Sequence, residues 1–490
     1  MVNFLQTKRL LLFNKNHWHF LSVIFMGIYI LSYLVFGQNL LLYLMILLLC
    51  SVCILMAPMA GIYTIMICTM WFERHFTLQE LALGDMAYKI YPLDFIILFT
   101  LGSVIYRMVI RKEWIKWRKF DNYILLFGLL VTLAFVYSFV QGSDIVYAFS
   151  TYKNYFLYSV IYFLLLYLAR TKADWQGLMK WFFVGGLGLF FFLAYGIISG
   201  VGLWSEYTPL STEGVRLIAG THIFFMTIFG FFLLSGVIWH HQIVKDKNRK
   251  YLLILLYGVV LSLLVSLVRH LWLALLILAI LWLVLFTGKN YKKLVIILKA
   301  SVLFVLFGLA LFIWGNSFYV GVVPDSLVKT SYILAARASI INVASMNDSS
   351  FRWRVNAWSA GVNLWLTSPY IGVGLGRTLI GSDQATIYEV PIRELHNDYL
   401  GILIQIGLVG LVFVGVWFTY VLRQLKKLWD KLYNKPGFEL SMLFTWGNTV
   451  LLFIIVFSVS VYWDLNLFII WWWFALAVIR FLLYENSSSK

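Results

Sequence analysis

His396-Asn397-Asp398-Tyr399-Leu400-Gly401-Ile402-Leu403-Ile404 is the junction at which a long polar stretch turns into an apolar run reaching Leu422. That run exceeds the roughly 20 residues a helix needs to cross the ~30 Å hydrocarbon core of a bilayer. His396 and Asn397 therefore stand where an extramembrane segment enters a span. A titratable imidazole beside an amide at such a boundary is placed for chemistry on a lipid-linked substrate.

Composition sets the class around that junction. With 62% hydrophobic and 12% charged residues over 490 positions, the chain cannot be solvated as one globular domain. It reads as an all-α integral membrane protein. Apolar runs near 18–36, 40–56, 58–72, 92–110, 121–140, 153–169, 181–199, 223–239, 251–267, 271–286, 295–314, 399–421, 440–461 and 467–484 predict about 12–14 transmembrane helices. Pro58 leaves open whether 40–72 forms two spans or one broken hairpin. The first run lacks a small-residue cleavage pattern and is expected to remain as a span.

The net charge of +17 follows from membrane orientation and not from nucleic-acid binding, because Lys and Arg concentrate in short cytoplasmic loops. The clusters at Arg107–Lys119, Arg170–Lys180, Lys245–Lys250, Lys289–Lys293 and Arg423–Lys435 place both termini in the cytoplasm. Cys50, Cys53 and Cys68 lie inside predicted spans and read as apolar filler, not as a metal site or disulfide.

Polar residues gather in one place. Three regions result: an N-terminal transmembrane bundle over 1–314, a large external loop over 315–398, and C-terminal transmembrane helices over 399–490. Within the loop, Phe351, Val355, Trp358, Val362 and Trp365 recur at spacings of three and four and predict an amphipathic helix. Ser368-Pro369 ends it. Gly372, Gly374 and Gly376 follow in Ile371-Gly372-Val373-Gly374-Leu375-Gly376. A nucleotide loop would need a preceding strand and a Walker lysine, so these glycines read as tight turns with close backbone approach.

Four segments together resemble the O-antigen ligase and O-antigen (surface polysaccharide) polymerase family of bacterial envelope glycosyltransferases. They are Ser266-Leu267-Val268-Arg269-His270-Leu271-Trp272-Leu273, Arg354 with Trp358, Ser368-Pro369-Tyr370-Ile371-Gly372-Val373-Gly374, and His396-Asn397 with Leu400 and Gly407-Leu408-Val409-Gly410-Leu411. Each is short, but their order before a terminal group of spans is specific, over roughly 200–420. The chain departs from the family at Val268, where a small or hydroxyl residue commonly precedes the arginine, and at His270, which follows it.

The resemblance implies transfer of a glycan from an undecaprenyl-diphosphate-linked donor on the outer face of the cytoplasmic membrane. Physical chemistry asks for the same parts. A diphosphate at the interface needs cations, and Arg216, Arg269, Arg352 and Arg354 lie at span ends or in the loop. Arginine donates bidentate hydrogen bonds to phosphate and stays charged. The opposing reading, a snorkelling anchor, applies to any isolated arginine at a span end. It fits Arg269 least, since that residue lies between two apolar runs with almost no loop.

His396 has an opposing reading too, with Asn397 or Asp398 capping the helix and the imidazole in headgroup water. Within the motif set it takes or orients the proton of an attacking sugar hydroxyl, with inversion expected from a single displacement. Arg269, Arg354 and His396 are thus the candidate catalytic residues. Trp358, Gly372, Gly374 and Asn397 support the site. Glu206, Glu213, Glu389 and Glu394 are external carboxylates able to assist.

No cofactor is expected, and guanidinium groups replace a divalent metal, since no Asp-x-Asp or His/Cys cluster offers ligands. The acceptor is a second lipid-linked glycan for a polymerase, lipid A core for a ligase, or a protein hydroxyl for an oligosaccharyltransferase, the first being favoured. Membrane lipids, a flippase and a chain-length regulator are the expected partners. The competing class is a transporter, which would spread broken helices through the midplane in paired repeats.

Overall fold

The computed structural model describes residues 15–83, 86–200, 202–204, 217–239, 249–266, 268–285, 349–383, 386–392, 395–435 and 437–485. In chain order these form α1 (Lys15–Phe36), α2 (Leu40–Met56), α3 (Met59–Phe72), α4 (Arg74–Thr77), β1 (Leu81–Leu83), β2 (Met86–Tyr88), α5 (Pro92–Arg111), α6 (Lys119–Val140), α7 (Ile145–Tyr155), α8 (Val160–Leu168), α9 (Lys172–Ser199) and α10 (Gly220–Ile238). There follow α11 (Arg249–Val265), α12 (Arg269–Leu285), α13 (Ser349–Trp365), β3 (Thr378–Asp383), β4 (Thr386–Pro391), α14 (Asp398–Leu432), α15 (Phe438–Val456) and α16 (Asn466–Glu485). The all-α reading holds, with two short antiparallel hairpins as exceptions.

Eight of the described helices are long and apolar enough to cross a membrane, and shorter apolar helices accompany them. Pro58 does divide 40–72: α2 ends at Met56 and α3 begins at Met59. The expected span 153–169 is broken into α7, a 3-10 turn at Leu157–Ser159 and α8. The span expected to end near 421 continues as helix to Leu432, because Arg423, Lys426, Lys427 and Lys431 are helix formers and Lys426 pairs with Asp430 one turn on at 2.8 Å. The expected span 295–314 and residues 315–348 of the expected loop lie outside the described residues.

The chain divides into two compact units. In the first, residues 1–116 and 160–185, α1 packs on α2 and α3, and α5 packs on α2, α3 and α8. Contact between apolar helices gains little from the hydrophobic effect where the surround is lipid, so small residues and interhelical hydrogen bonds hold them. Ser22 Oγ meets Thr64 Oγ1 at 2.8 Å. Arg107 donates to the carbonyls of Leu55 and Met56 at 2.9 and 3.1 Å, satisfying the C-terminal end of α2.

In the second unit, residues 117–159 and 186–490, α15 packs against α10, α12, α14 and α16, and α6 lies along α14. Trp417, Trp446, Trp463, Trp471, Trp472 and Trp473 are buried among these helices. Edge and stacked ring pairs there, such as Phe418 over Trp463 with centroids 5.8 Å apart, each contribute about 0.5–1.5 kcal/mol beyond simple area. Arg480 pairs with fully buried Asp121 at 3.2 Å, and Asp121 also accepts from the Arg118 amide at 2.8 Å, starting α6.

Candidate functional site

The site is built where α13, the glycine segment and α14 meet. The expected amphipathic helix is α13, and Trp358 and Trp365 of the predicted stripe pack against its core, but the centre of the buried face is Ala357 and Gly361, which lies against Ile404, while Val362 is exposed. Small residues win this face because they let α13 approach α14 closely. Ala357, Val373, Leu379, Ile392, Leu395 and Ile404 form its core, with Trp353, Trp358, Leu364, Trp365 and Leu400 around them.

The tryptophans on α13 have polar tasks as well. Trp365 Nε1 donates to the Pro369 carbonyl at 2.9 Å, closing the turn after the helix. Trp358 Nε1 donates to the Leu395 carbonyl at 2.7 Å, which fixes the chain one residue before His396.

His396 itself has φ 54°, a left-handed conformation that a residue with a side chain rarely adopts and that costs about 1–3 kcal/mol. The strain turns its imidazole toward α13. There the ring lies edge-on to Trp353, with centroids 5.8 Å apart. Its Nδ1 is buried and has no hydrogen-bond partner among the described residues. Burial, and next the positive charge of Arg354, lower the His396 pKa to about 4. The imidazole is therefore neutral at physiological pH, and Arg354 is close enough to act on it.

The two residues after His396 divide the roles left open between them. Asn397 is the cap, its side chain accepting from the Leu400 amide at 3.0 Å. Asp398 is buried and turned the other way: Oδ2 accepts from the amides of Tyr462 and Trp463, both at 2.9 Å, and its own amide donates to the Phe457 carbonyl at 2.7 Å. Asp398 thus clamps the turn between α15 and α16 onto the start of α14. Tyr462 sits in a short loop between two spans, where an aromatic reads as an interfacial anchor, so this contact has no local signature.

Gly372 and Gly374 take φ 76° and 84°, and Gly376 φ 76°. Their segment lies against a break in α14 at Gly407, which has φ 76° and ψ −171°. Val373 and Gly374 donate to the Ile404 and Gln405 carbonyls at 2.9 and 3.1 Å, and Leu408 and Val409 donate to the Pro369 and Tyr370 carbonyls at 2.9 and 3.1 Å. Backbone freed by the break is paired by the glycine segment, the condition under which an irregular helix is tolerated at membrane depth. A Cβ on Gly372 would come within 2.5 Å of Gln405 backbone, and one on Gly407 within 2.2 Å of the Tyr370 carbonyl.

Arg269 is the first residue of α12, an end where the helix dipole disfavours a cation by about 0.3–1 kcal/mol and favours an anion beside it. Its neighbour His270 makes a 2.9 Å hydrogen bond, Nε2 to the Tyr462 hydroxyl. Arg352 lies on α13 before Arg354. Arg216, Glu206, Glu213 and Glu394 are outside the described residues, and Glu389 is on β4.

With that geometry in hand, comparison with known families bears directly on it. Residues 251–415 match the O-antigen ligase family. The resemblance drawn from the motifs is borne out, and the match contains Arg269, Arg354, Trp358, the glycine segment and His396. No curated protein matches the chain. The O-antigen ligase match supports a glycan-transfer role of the ligase and polymerase type, on lipid-linked glycan in a multi-pass membrane protein. Tyr462 and the turn around it lie beyond the matched residues.

Proposed function

We propose that the protein is a polysaccharide polymerase, moving a glycan from an undecaprenyl-diphosphate-linked donor to the hydroxyl of a lipid-linked glycan on the outer face of the cytoplasmic membrane. The observation that carries this reading is the half-buried His396, its Nδ1 enclosed and its imidazole neutral, beside Arg354 at the start of α14. A base and a cation held together suit a reaction that takes a proton from one partner and sends negative charge to another.

The acceptor oxygen gives its proton to His396 and forms a bond to the anomeric carbon. The bond from that carbon to the donor phosphate breaks, and the lipid diphosphate leaves with the electron pair. Arg354 and Arg269 receive the charge, with inversion at carbon and without a divalent ion. Both termini lie in the cytoplasm in this reading.

Purified protein given a synthetic undecaprenyl-diphosphate glycan is the test. Lengthening of the lipid-linked glycan supports the polymerase, transfer only to lipid A core makes it a ligase, and no transfer to either removes the proposal.

A further inference from the structure

His270 directly follows Arg269 at the start of α12. Its Nε2 bonds the Tyr462 hydroxyl at 2.9 Å, while the amide of the same Tyr462 bonds Asp398 Oδ2 at 2.9 Å. Asp398 follows His396 by two positions, and His270 follows Arg269 by one. One residue therefore touches both the segment carrying the base and the segment carrying the cation.

Tyr462 is well held for such a task. It is 2% exposed, with its ring packed on Phe224 and Phe468 at centroid distances of 5.0 and 4.3 Å. The Asp398 carboxyl accepts from consecutive amides at 462 and 463 and from Asp464 as well, so the turn cannot slide without breaking all of these bonds together. Burial and the neighbouring carboxylate push the Tyr462 pKa upward, which keeps the hydroxyl protonated and bonded to His270 across the working pH range.

We propose that Tyr462 is a positioning residue: through its hydroxyl on His270 and its amide on Asp398 it sets Arg269 at a fixed place relative to His396. The inference rests on Arg269 binding diphosphate, as in the function proposed above. Position matters at this scale because a displacement of about 1 Å in a binding group costs about 10²-fold in reactions of this kind.

The test measures binding of undecaprenyl diphosphate, which carries no glycan and so reads diphosphate capture apart from chemistry, to full-length protein in detergent. Tyr462→Phe keeps the packed ring and removes only the hydroxyl. It is expected to weaken binding about 10-fold, as is His270→Leu. The double variant is expected to bind no more weakly than either single, because both break one bond.

His270→Gln, whose amide reaches the Nε2 position, is expected to recover most of the affinity. It also serves as the second variant should Tyr462→Phe fail to fold. Binding by Tyr462→Phe equal to wild type, with or without a lower melting temperature, overturns the inference and leaves the function standing. Additive losses in the double variant also overturn it. Wild-type protein that binds no undecaprenyl diphosphate, or Arg269→Ala that binds it normally, overturns the functional reading together with the inference built on it.

Discussion

At His396 burial and the Arg354 charge act in the same direction, and both hold the ring neutral with a pKa of about 4. Such a group is correctly protonated for a base at pH 7 yet intrinsically weak, since an efficient base has a pKa near the working pH. A bound diphosphate offsets the Arg354 charge and so raises the His396 pKa in the complex. The acid limb of kcat/KM, which reports free enzyme, is thus expected near pH 4, and that of kcat at higher pH. Coincident limbs would show that the diphosphate does not sit by Arg354.

The same lowered pKa gives a stability effect with a definite sign. The unfolded imidazole, near 6.5, binds a proton before the folded one does. The contribution is therefore complete above about pH 6.5 and declines as pH falls toward about 4. Thermal unfolding of wild type and His396→Gln over that window measures it, the wild type losing more stability on acidification. Turnover in His396→Ala is expected to fall about 10²-fold or more with donor binding largely kept. Arg354→Ala is expected to lose product, with Lys restoring only part because it lacks the planar fork. Asn397→Ala, in contrast, removes a cap and lowers stability by about 1 kcal/mol with the imidazole chemistry intact.

At the scale of elements, the site depends on a helix that is broken and repaired. α14 loses its ladder at Gly407, and residues 369–374 supply the missing partners. Gly407→Ala places a side chain at φ 76° and 2.2 Å from a carbonyl oxygen. The conformation, which is essentially glycine-only, costs about 1–3 kcal/mol by itself, and the clash adds to it. A fall in melting temperature together with lost transfer is expected, and unchanged values for both would mean that the break is not needed. Trp358→Phe tests the other support. It leaves the Leu395 carbonyl without its donor, a loss of about 1 kcal/mol, and activity is expected to fall further than stability because the strained turn at His396 is released.

Over the whole molecule the proposal needs the site end of α14 outside and its far end inside. Ser359 and Lys431 are both exposed, one on α13 and one in the last turn of α14. A membrane-impermeant thiol reagent added to intact cells is expected to label Ser359→Cys and not Lys431→Cys, the native Cys50, Cys53 and Cys68 being buried. Labelling at Lys431 would reverse the orientation. Deletion of the gene is expected to abolish the long-chain surface glycan and leave single lipid-linked units, whereas intact long chains would exclude the polymerase.

Composition and periodicity were enough for the membrane class, most helix positions and the presence of α13, while the motif residues came from the family resemblance. Each of these depends on properties local to a run of residues: apolar length, a repeat of three and four, a proline or glycine at a break. The ionisation of His396 was not available at that level, because it arises from burial against α13 and from a charge 42 residues earlier in the chain. The centre of the face by which α13 packs is shifted from the predicted stripe for a similar reason, since Ala357 and Gly361 are favoured only once α14 is opposite them. Pairing of Val373 and Gly374 with Ile404 and Gln405, and of Asp398 with Tyr462, joins segments whose separate sequences carry no mark of each other. Hydrogen bonds between distant backbone groups have no side-chain signature, and only the tertiary structure brings them within reach.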